Sequence, residues 1–396
     1  MKPFLTLNDT SCHHVILLAP TDDYFLLVQN LGYSVTVIQE EHRITSTQKA
    51  ILAEGNVCAF SDIEALLFLS SRIDQFKKVD AVLTFTEYGT LPAALISTFL
   101  NCKGPALQEA MLTRNKIMMR EHLAGTSLGT VSFLVCSTKA ELQAFFANHK
   151  DGVIVKPING TGSQDVLHVT HLDQINSVAF PVLAEAFIDG DEYSCECLSY
   201  DGEHHVIAIT KKFVGGSTGL VEIGHQVPGI DHTDTKVKVG DFVQEVLSEL
   251  GICNGASHTE LKIDADGKCH LIETHVRPGG DRIWELVDLA TQVNQIVATA
   301  RWFVEGKKTL PPTQEKYHVA IHYLNFKPGL VIAANHTLDS VSEVFRYQFN
   351  VKEGTTIKAF SHSQERHGFF IIRADSKDTL RKLKSKAEQS INVVIE

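Results

Sequence analysis

The sequence lacks any hydrophobic run as long as the roughly 18 residues that a membrane-spanning helix needs. Its amino-terminal stretch, MKPFLTLNDTSCHH, turns polar before an apolar segment develops, which is not the pattern of a signal or transit peptide. Basic residues form no tract before RKLKSK at 381–386, and the formal charge is −11, so a nucleic-acid partner is disfavoured. We therefore expect a cytoplasmic protein with neither a membrane nor a nucleic-acid partner.

Cysteine patterns that bind zinc or carry out redox chemistry are also missing. None of the eight cysteines belongs to a Cys-x-x-Cys pair, and most fall within apolar stretches. Cys195 and Cys197 share one face of a predicted strand, where core packing is favoured over a metal or redox role.

The first hundred residues alternate short apolar runs with helical patterns. Strands are predicted at 15–18, 33–38 and 81–85, and helices at 24–31, 63–69 and 91–100. Such alternation predicts a parallel sheet. The turn after the first strand, APTDDY, has none of the glycines that a dinucleotide pyrophosphate requires, which excludes NAD binding there.

The remaining chain has a β-rich middle and a mixed tail, which together with the first part predict an α/β and α+β fold class. A helical stretch is predicted at 106–123 and a helix at 235–250, and a helical run at 283–303 precedes the Pro311-Pro312 break. The turn at 264–267 contains Asp-Gly, which favours a hairpin between strands at 257–263 and 268–275. Further strands are predicted at 130–136, 153–157, 166–169, 182–188, 192–198 and 205–214, and a strand, helix and strand at 369–395.

This hairpin carries paired carboxylates. Alternate residues of a strand share a face, so Glu260 lies beside His258 on the first strand and Glu273 beside His275 on the second. Mg²⁺ is usually held by one or two carboxylates together with phosphate oxygens. The pair therefore predicts a magnesium site, and a solvent-exposed hairpin with ordinary charges is the alternative.

A lysine followed by a glycine-rich turn is the second feature. Lys156 ends an apolar strand, and the turn after it contains Gly160, Thr161, Gly162 and Ser163. The backbone N–H groups of such a turn can close over phosphates, although a Walker A loop has its lysine after the glycines. Lys116, in a helical context, could add a second compact positive charge. An ordinary hairpin turn and a solvated lysine are the alternatives.

A third segment, 183–194, has a carboxylate near each end. Its extended backbone can meet an adenine edge while a carboxylate meets ribose hydroxyls, or the segment can simply be two strands joined at Asp189-Gly190. The order of the features, lysine, lysine with a glycine loop, linker and two glutamates, favours nucleotide binding.

This ordered set resembles the ATP-grasp superfamily and, within it, the L-amino acid ligases, the dipeptide synthetases related to bacilysin synthetase. The resemblance covers roughly 106–305. It implies an ATP-grasp fold with an N-terminal parallel-sheet domain at 1–105, an ATP-grasp domain at 106–310 whose glycine-loop lid spans roughly 125–188, and a C-terminal α+β subdomain at 311–396.

The resemblance also assigns roles to individual residues. The ATP-binding set it implies is Lys116, Lys156, Gly160, Thr161, Gly162, Ser163, Glu185, Ala186, Phe187, Ile188 and Glu192. Glu260 and Glu273 would bind one or two Mg²⁺ ions. His275 stands where many ATP-grasp enzymes have asparagine, which leaves its part in a second metal site open.

For the substrates, the resemblance implies that Arg277 meets the carboxylate and its acyl phosphate, together with Gly279 and Gly280. His225, His258 and His275 are candidates for substrate binding and for the general base.

The implied activity is a carboxylate-amine ligase that uses ATP and Mg²⁺ to join small-molecule acids and amines of the amino-acid type. A dipeptide or pseudopeptide antibiotic pathway and a homodimer are further implications of the resemblance. The alternatives are a biotin-carboxylase-like or formate-using purine enzyme, and a non-catalytic nucleotide-binding module. The intact set of lysines, glutamates and Arg277 argues against the last of these.

Overall fold

The computed structural model describes residues 12–50, 56–158, 166–215, 219, 221–311, 315–359 and 363–396. The glycine turn predicted at 160–163 lies outside these ranges. Within them, no helix is both long and apolar enough to cross a membrane.

The amino-terminal part is a small parallel sheet with helices packed on it, as the alternating pattern predicted. Its strands are in the order β2-β1-β3, with β1 next to both neighbours. Thr21 and Asp62 accept backbone N–H groups at the starts of α1 and α3, which fixes where these helices begin. The elements are β1 (His14–Leu18), α1 (Asp22–Gln29), β2 (Ser34–Ile38), α2 (Ser46–Lys49), α3 (Ile63–Phe76), β3 (Ala81–Thr84) and α4 (Glu87–Leu100).

The helical stretch predicted at 106–123 is two helices, α5 (Leu107–Arg114) and α6 (Lys116–Leu123), separated by Asn115. Asn115 has an extended backbone, and its side chain accepts the N–H groups of Ile117 and Met118. It therefore caps α6 and interrupts the helix, because asparagine competes with the helical hydrogen bonds. This break places Lys116 in the first turn of α6.

A four-stranded antiparallel sheet follows, in the order β4-β7-β5-β6. It buries a separate apolar cluster that includes Leu142, Val153 and Val182. Residue 154 of β5 pairs with Glu185 of β7, which places Glu185 and Lys156 on one face of the sheet. Its elements are β4 (Phe133–Cys136), α7 (Lys139–Ala147), β5 (Val153–Pro157), β6 (Leu167–Val169) and β7 (Val182–Ala186).

The largest sheet among the described residues has eight strands, in the order β12-β11-β8-β9-β10-β13-β17-β15. The helical run predicted at 283–303 is again two helices, because Gln292 is left-handed and Asn294 caps the second one. The elements from this sheet onward are β8 (Asp191–Tyr200), β9 (Glu203–Gly215), β10 (Val221–Val227), α8 (Thr233–Glu249), β11 (Gly255–Ile263), β12 (Cys269–His275), α9 (Ile283–Thr291), α10 (Gln295–Glu305), β13 (His318–Tyr323), β14 (Gly329–His336), β15 (Val344–Phe349), β16 (Thr356–Ile357), β17 (Gly368–Ala374), α11 (Lys377–Gln389) and β18 (Ile391–Ile395).

The carboxyl-terminal strands extend this sheet. The strands β13, β17 and β15 continue it beyond β10, while β16, β14 and β18 form a smaller antiparallel sheet. The division into domains at 105 and 310 stays a prediction. One face of the large sheet packs Cys195, Cys197 and Leu261 against α8, so both cysteines are buried in the core as expected.

Glu109 of α5 is a buried acid that titrates in an unusual range. Its carboxylate accepts the backbone N–H of Cys253 at 2.8 Å, and burial raises its pKa to about 7. The folded state therefore holds this proton to a higher pH than the unfolded chain does. The stability linked to it is fully present below about pH 4.5 and is lost as the pH rises through about 7.

We predict that Glu109→Gln, which keeps the acceptor but removes the charge, is more stable than the unsubstituted protein by about 2–3 kcal/mol at pH 8. The difference should disappear toward about pH 4.5. Urea unfolding at both ends of this range measures it, with Glu245→Gln on the exposed face of α8 as the control. A stability difference that does not change with pH would contradict the prediction.

Candidate active site

The predicted carboxylate pair lies directly across the β11–β12 hairpin, where Glu260 is the partner of Glu273. The register shifts immediately after this pair, so that Leu261 faces Leu271. This bulge explains why Leu271, which has the same parity as Glu273, is nevertheless fully buried on the opposite side of the sheet. The two carboxylates are thereby held on the side of the large sheet opposite Leu271, which we call the polar face.

Lys116 meets this pair from α6. Its Nζ lies 2.7 Å from Glu273 Oε2, and this carboxylate raises the pKa of Lys116. Burial alone would raise the pKa of Glu273, but Lys116, His275 and Lys156 together hold it well below its usual range. The acid is therefore ionised, and both predicted phosphate-binding lysines contribute to its electrostatic environment.

A buried lysine that the sequence reasoning did not single out lies at the centre of the polar face. Lys212 of β9 is 4% exposed, and its Nζ lies 2.8 Å from Glu260, 2.9 Å from Glu192 and 3.4 Å from Glu222. Burial would lower the pKa of Lys212, but the three carboxylates raise it well above its usual value. It joins the predicted ribose residue Glu192 to the predicted metal ligand Glu260.

Glu185, predicted in the adenine-binding linker, is a buried residue of β7 with two cationic partners. Arg120 Nε and Lys156 Nζ each lie 2.6 Å from one of its oxygens. Although burial opposes the effect, Lys156 and Arg120 lower the pKa of Glu185 to about 2. Arg120 also donates to the carbonyl oxygens of Leu271 and Ile272, so it connects α6, the four-stranded sheet and the hairpin.

The rest of the predicted linker follows β7 without strand structure. Ala186 ends the strand, and Phe187 stacks on His168 with ring centroids 3.9 Å apart. The carbonyl oxygen of Ile188 accepts a hydrogen bond from Lys262 Nζ at 3.1 Å. The assignment of adenine to this segment stays a prediction.

Arg277 is held at the polar face by a carboxylate from the amino-terminal part. Its Nε donates to Glu87 Oε2 at 2.8 Å, and His275 Nδ1 lies 2.9 Å from the same oxygen. Glu87 is in the first turn of α4, and the sequence offered no signal beyond an acidic helix start. The structure thus brings Arg277 and His275 together through a residue about 190 positions away.

The two glycines after Arg277 differ in their constraints. A Cβ at Gly279 would lie 2.8 Å from Ile283 and 3.0 Å from His258 Nδ1, so any side chain there would displace the histidine or the helix. A Cβ at Gly280 would lie 4.0 Å from Arg277 Nη1, which is an ordinary contact. Gly279 is therefore needed for packing, and Gly280 lies against the guanidinium.

The three histidines predicted near substrate have different surroundings. His258 lies between Glu196, at 2.9 Å, and Glu260, at 3.1 Å. Burial opposes protonation, but these acids raise the pKa of His258 to about 9, and Glu87 and Glu273 raise that of His275. His258 is therefore suited to carrying positive charge at neutral pH rather than to accepting a proton, and the acids beside His275 favour its charged form as well. His225 is fully buried on β10, with Nε2 3.9 Å from Asp281 Oδ2.

Glu260 and Glu273 are two ionised carboxylates that could bind a metal ion. No cluster of three or more His, Cys, Asp or Glu side chains arranged to hold an ion occurs among the described residues. Glu260 and Glu273 face one another, and the pKa of each is held below its usual range against the effect of burial. Two carboxylates without a full protein cage fit Mg²⁺ that is carried with a phosphate, because such ions take most of their ligands from phosphate and water.

Known proteins resemble this chain in fold and, more weakly, in sequence. The model of the ATP-grasp domain family matches residues 177–285, which include both hairpin glutamates. The fold matches the crystal structure of an L-amino acid ligase from Bacillus licheniformis with a TM-score of 0.80 at 22% identity, over 97% of this chain and 99% of the other. Residues 177–285 therefore match an ATP-grasp domain, and the chain has the fold of the solved ligase.

The sequence is also similar to amino acid ligases. It is 23% identical to the L-arginine-specific L-amino acid ligase of Bacillus subtilis, over 59% of this chain and 60% of the relative. It is 26% identical to the alanine–anticapsin ligase of Bacillus subtilis (strain 168), over 52% of this chain and 50% of the relative. The matched regions thus span about half to three fifths of these relatives.

Proposed function

We propose that this protein is an ATP- and Mg²⁺-dependent ligase that activates an amino-acid-type carboxylate as an acyl phosphate and joins it to an amine. The observation that carries the proposal is the position of Glu273. This carboxylate lies opposite Glu260, 2.7 Å from Lys116, and 3.3 Å from His275. The names of the two similar ligases support amide formation between amino-acid-type substrates.

Phosphate binding follows from the charges around this pair. When bound at Glu260 and Glu273, Mg²⁺ would neutralise negative charge on the phosphates of ATP. Lys116 and Lys156 bring two further positive charges to the same region, each now paired with a carboxylate. Phosphoryl transfer depends mainly on positioning and charge neutralisation, which these residues supply.

Arg277 is suited to the carboxylate that is activated. Glu87 fixes its Nε, and Nη1 lies beside Gly280. A substrate carboxylate oxygen attacks the γ-phosphorus and ADP leaves; the amine nitrogen then attacks the carbonyl carbon, phosphate leaves, and the nitrogen gives up a proton. Arg277 and the N–H groups near Gly279 and Gly280 would stabilise the negative charge that develops on the carbonyl oxygen.

Neutralising one metal ligand tests the role of the hairpin pair. We expect Glu273→Gln to raise the Mg²⁺ concentration for half-maximal ADP release by about tenfold or more, because an amide is a weaker ligand than a carboxylate. Glu203→Gln, whose carboxylate is 62% exposed at the start of β9, is the control. An unchanged Mg²⁺ requirement in Glu273→Gln would contradict the assignment.

The activity itself is tested by an ADP-release screen over amino acids supplied singly and in pairs, with mass spectrometry of the products. ADP release with a dipeptide or pseudopeptide product supports the proposal. Dependence on bicarbonate or formate would instead identify a biotin-carboxylase-like or purine-type enzyme. ATP binding without turnover would identify a nucleotide-binding module. A product of antibiotic type and a homodimer stay predictions, and the same products together with the molar mass in solution test them.

A further inference from the structure

A second charged cluster adjoins the hairpin cluster through Glu222, which also contacts Lys212. Arg366, which precedes β17, donates from Nη1 to Asp281 Oδ2 at 2.8 Å and from Nη2 to Glu222 Oε2 at 3.2 Å. Asp281 follows Gly280 in the loop after Arg277, and Glu222 lies on β10. Three separate parts of the chain therefore meet here.

Burial distinguishes the members of this cluster. The side chain of Arg366 is 6% exposed and lies 3.8 Å from the ring centroid of Tyr323, whereas that of Asp281 is 34% exposed and that of Glu222 is 17% exposed. The guanidinium is thus the most buried of the three groups, and the two carboxylates that it contacts are closer to the surface. The surface that remains open to a ligand is mainly that of Asp281.

The charges alternate along the face and end on a carboxylate. In space, Lys212 contacts Glu222, Glu222 contacts Arg366, and Arg366 contacts Asp281. The three last groups carry a net charge of −1, since Arg366 is one cation between two acids. Burial would raise the pKa of Asp281, but His225 and Arg366 hold it far below its usual range, so this terminal group is ionised.

An anionic ligand is disfavoured at this cluster. Each terminal nitrogen of Arg366 donates to a carboxylate, and Nε, which has no partner among the described residues, is buried. An anion would have to displace Asp281 or Glu222 to reach the guanidinium. A cation, by contrast, can approach the exposed carboxylate directly and extend the alternation of charges.

The backbone of Asp281 is held in a costly conformation. Its φ is +49° and that of Arg282 is +63°, both in the left-handed region that non-glycine residues seldom adopt. The hydroxyl of Tyr323 donates to the carbonyl oxygen of Asp281 at 2.7 Å, which fixes this turn. Conformations of this kind persist where the surrounding structure enforces them, and they cluster at ligand sites.

We propose that Asp281, supported by Glu222 and Arg366, binds the positively charged side chain of an amino-acid substrate, either an ammonium or a guanidinium group. The inference rests on the proposed function and names the substrate class of that same site. The position of Asp281 supports this proposal. Asp281 follows Gly280, which lies beside Arg277 Nη1, where the substrate carboxylate is expected. Arg366 is then a positioning residue that sets the spacing of the two acids.

The test compares L-arginine with L-citrulline, which has nearly the same shape but no charge. Initial rates of ADP release are measured for each with the same set of partner amino acids, and Kd is measured by calorimetry with a non-hydrolysable ATP analogue. We expect arginine to exceed citrulline by about tenfold or more in kcat/KM, with a matching difference in Kd, because a hydrogen bond between charged groups is worth roughly that much.

The matched variants remove or restore only the charge. In Asp281→Asn the discrimination should fall to within about threefold, and asparagine tolerates the left-handed backbone, so the fold is kept. Asp281→Glu should regain part of the discrimination. Asp378→Asn, an 83% exposed acid on α11, should leave it unchanged.

The outcomes separate this inference from the proposed function. Equal values for arginine and citrulline, alongside ordinary turnover of neutral amino acids, would overturn the substrate class alone. Unchanged discrimination in Asp281→Asn would overturn the residue assignment. Absence of ADP release with every pair would overturn the proposed function and this inference with it.

Discussion

Replacing Arg277 by alanine is expected to lower the rate of amide formation by about 10²- to 10³-fold, the usual effect of removing one donor that stabilises an oxyanion. Glu87 holds this guanidinium beside Gly280, where the proposed reaction would build negative charge on the carbonyl oxygen. ATP affinity should change little, because the residues proposed to bind the phosphates are separate. Product formation by mass spectrometry and ATP binding by calorimetry measure the two quantities.

Two further variants make this result specific. Arg381→Ala, which removes a 73% exposed arginine on α11, should have no effect. Arg277→Lys keeps the charge but loses the planar fork that can bind two oxygens at once, so it should recover only part of the activity. Near-normal amide formation by Arg277→Ala would remove this residue from the mechanism.

Replacing Lys212 by methionine is expected to lower the free energy of unfolding by about 3–5 kcal/mol, because it leaves three largely buried carboxylates without their common cation. Lys212 Nζ contacts Glu192, Glu222 and Glu260 while being almost completely buried. Methionine has a similar length and fills the same space, so the loss reports mainly the charge. Urea unfolding at neutral pH measures the change.

The adjacent lysine provides the control for this substitution. Lys211 points to the other side of β9, its side chain is 25% exposed, and its one carboxylate partner among the described residues, Asp191, is 63% exposed. Exposed pairs of this kind contribute about 0–1 kcal/mol. A loss in Lys212→Met no larger than that in Lys211→Met would show that the buried cluster does not depend on this cation.

Local patterns were sufficient to predict much of the fold. Helix caps and strand alternation identified the amino-terminal parallel sheet, and the Asp-Gly turn identified the hairpin that carries Glu260 and Glu273. Each of the two predicted helical stretches is divided into two helices, because Asn115 and Asn294 start new helices within them. An asparagine inside a helical pattern can be tolerated or can act as a cap, and only the tertiary packing decides between these.

The candidate site was predictable only in part. The hairpin acids and the two lysines carry a pattern that can be recognised within short segments, and the structure brings them into one cluster. Glu87, Arg120 and Lys212 carry no such pattern, because their partners lie far away in sequence. Their importance comes from burial beside opposite charge, which depends on the fold as a whole.

The continuity of the eight-stranded sheet also governs how the chain tolerates shortening. Because β13 is hydrogen-bonded along β10, ending the chain before β13 would leave β10 with a bare row of backbone donors and acceptors. Such an unpaired edge readily recruits a strand from another molecule. A shortened version is therefore expected to self-associate, even though the segments predicted to bind nucleotide would all be present.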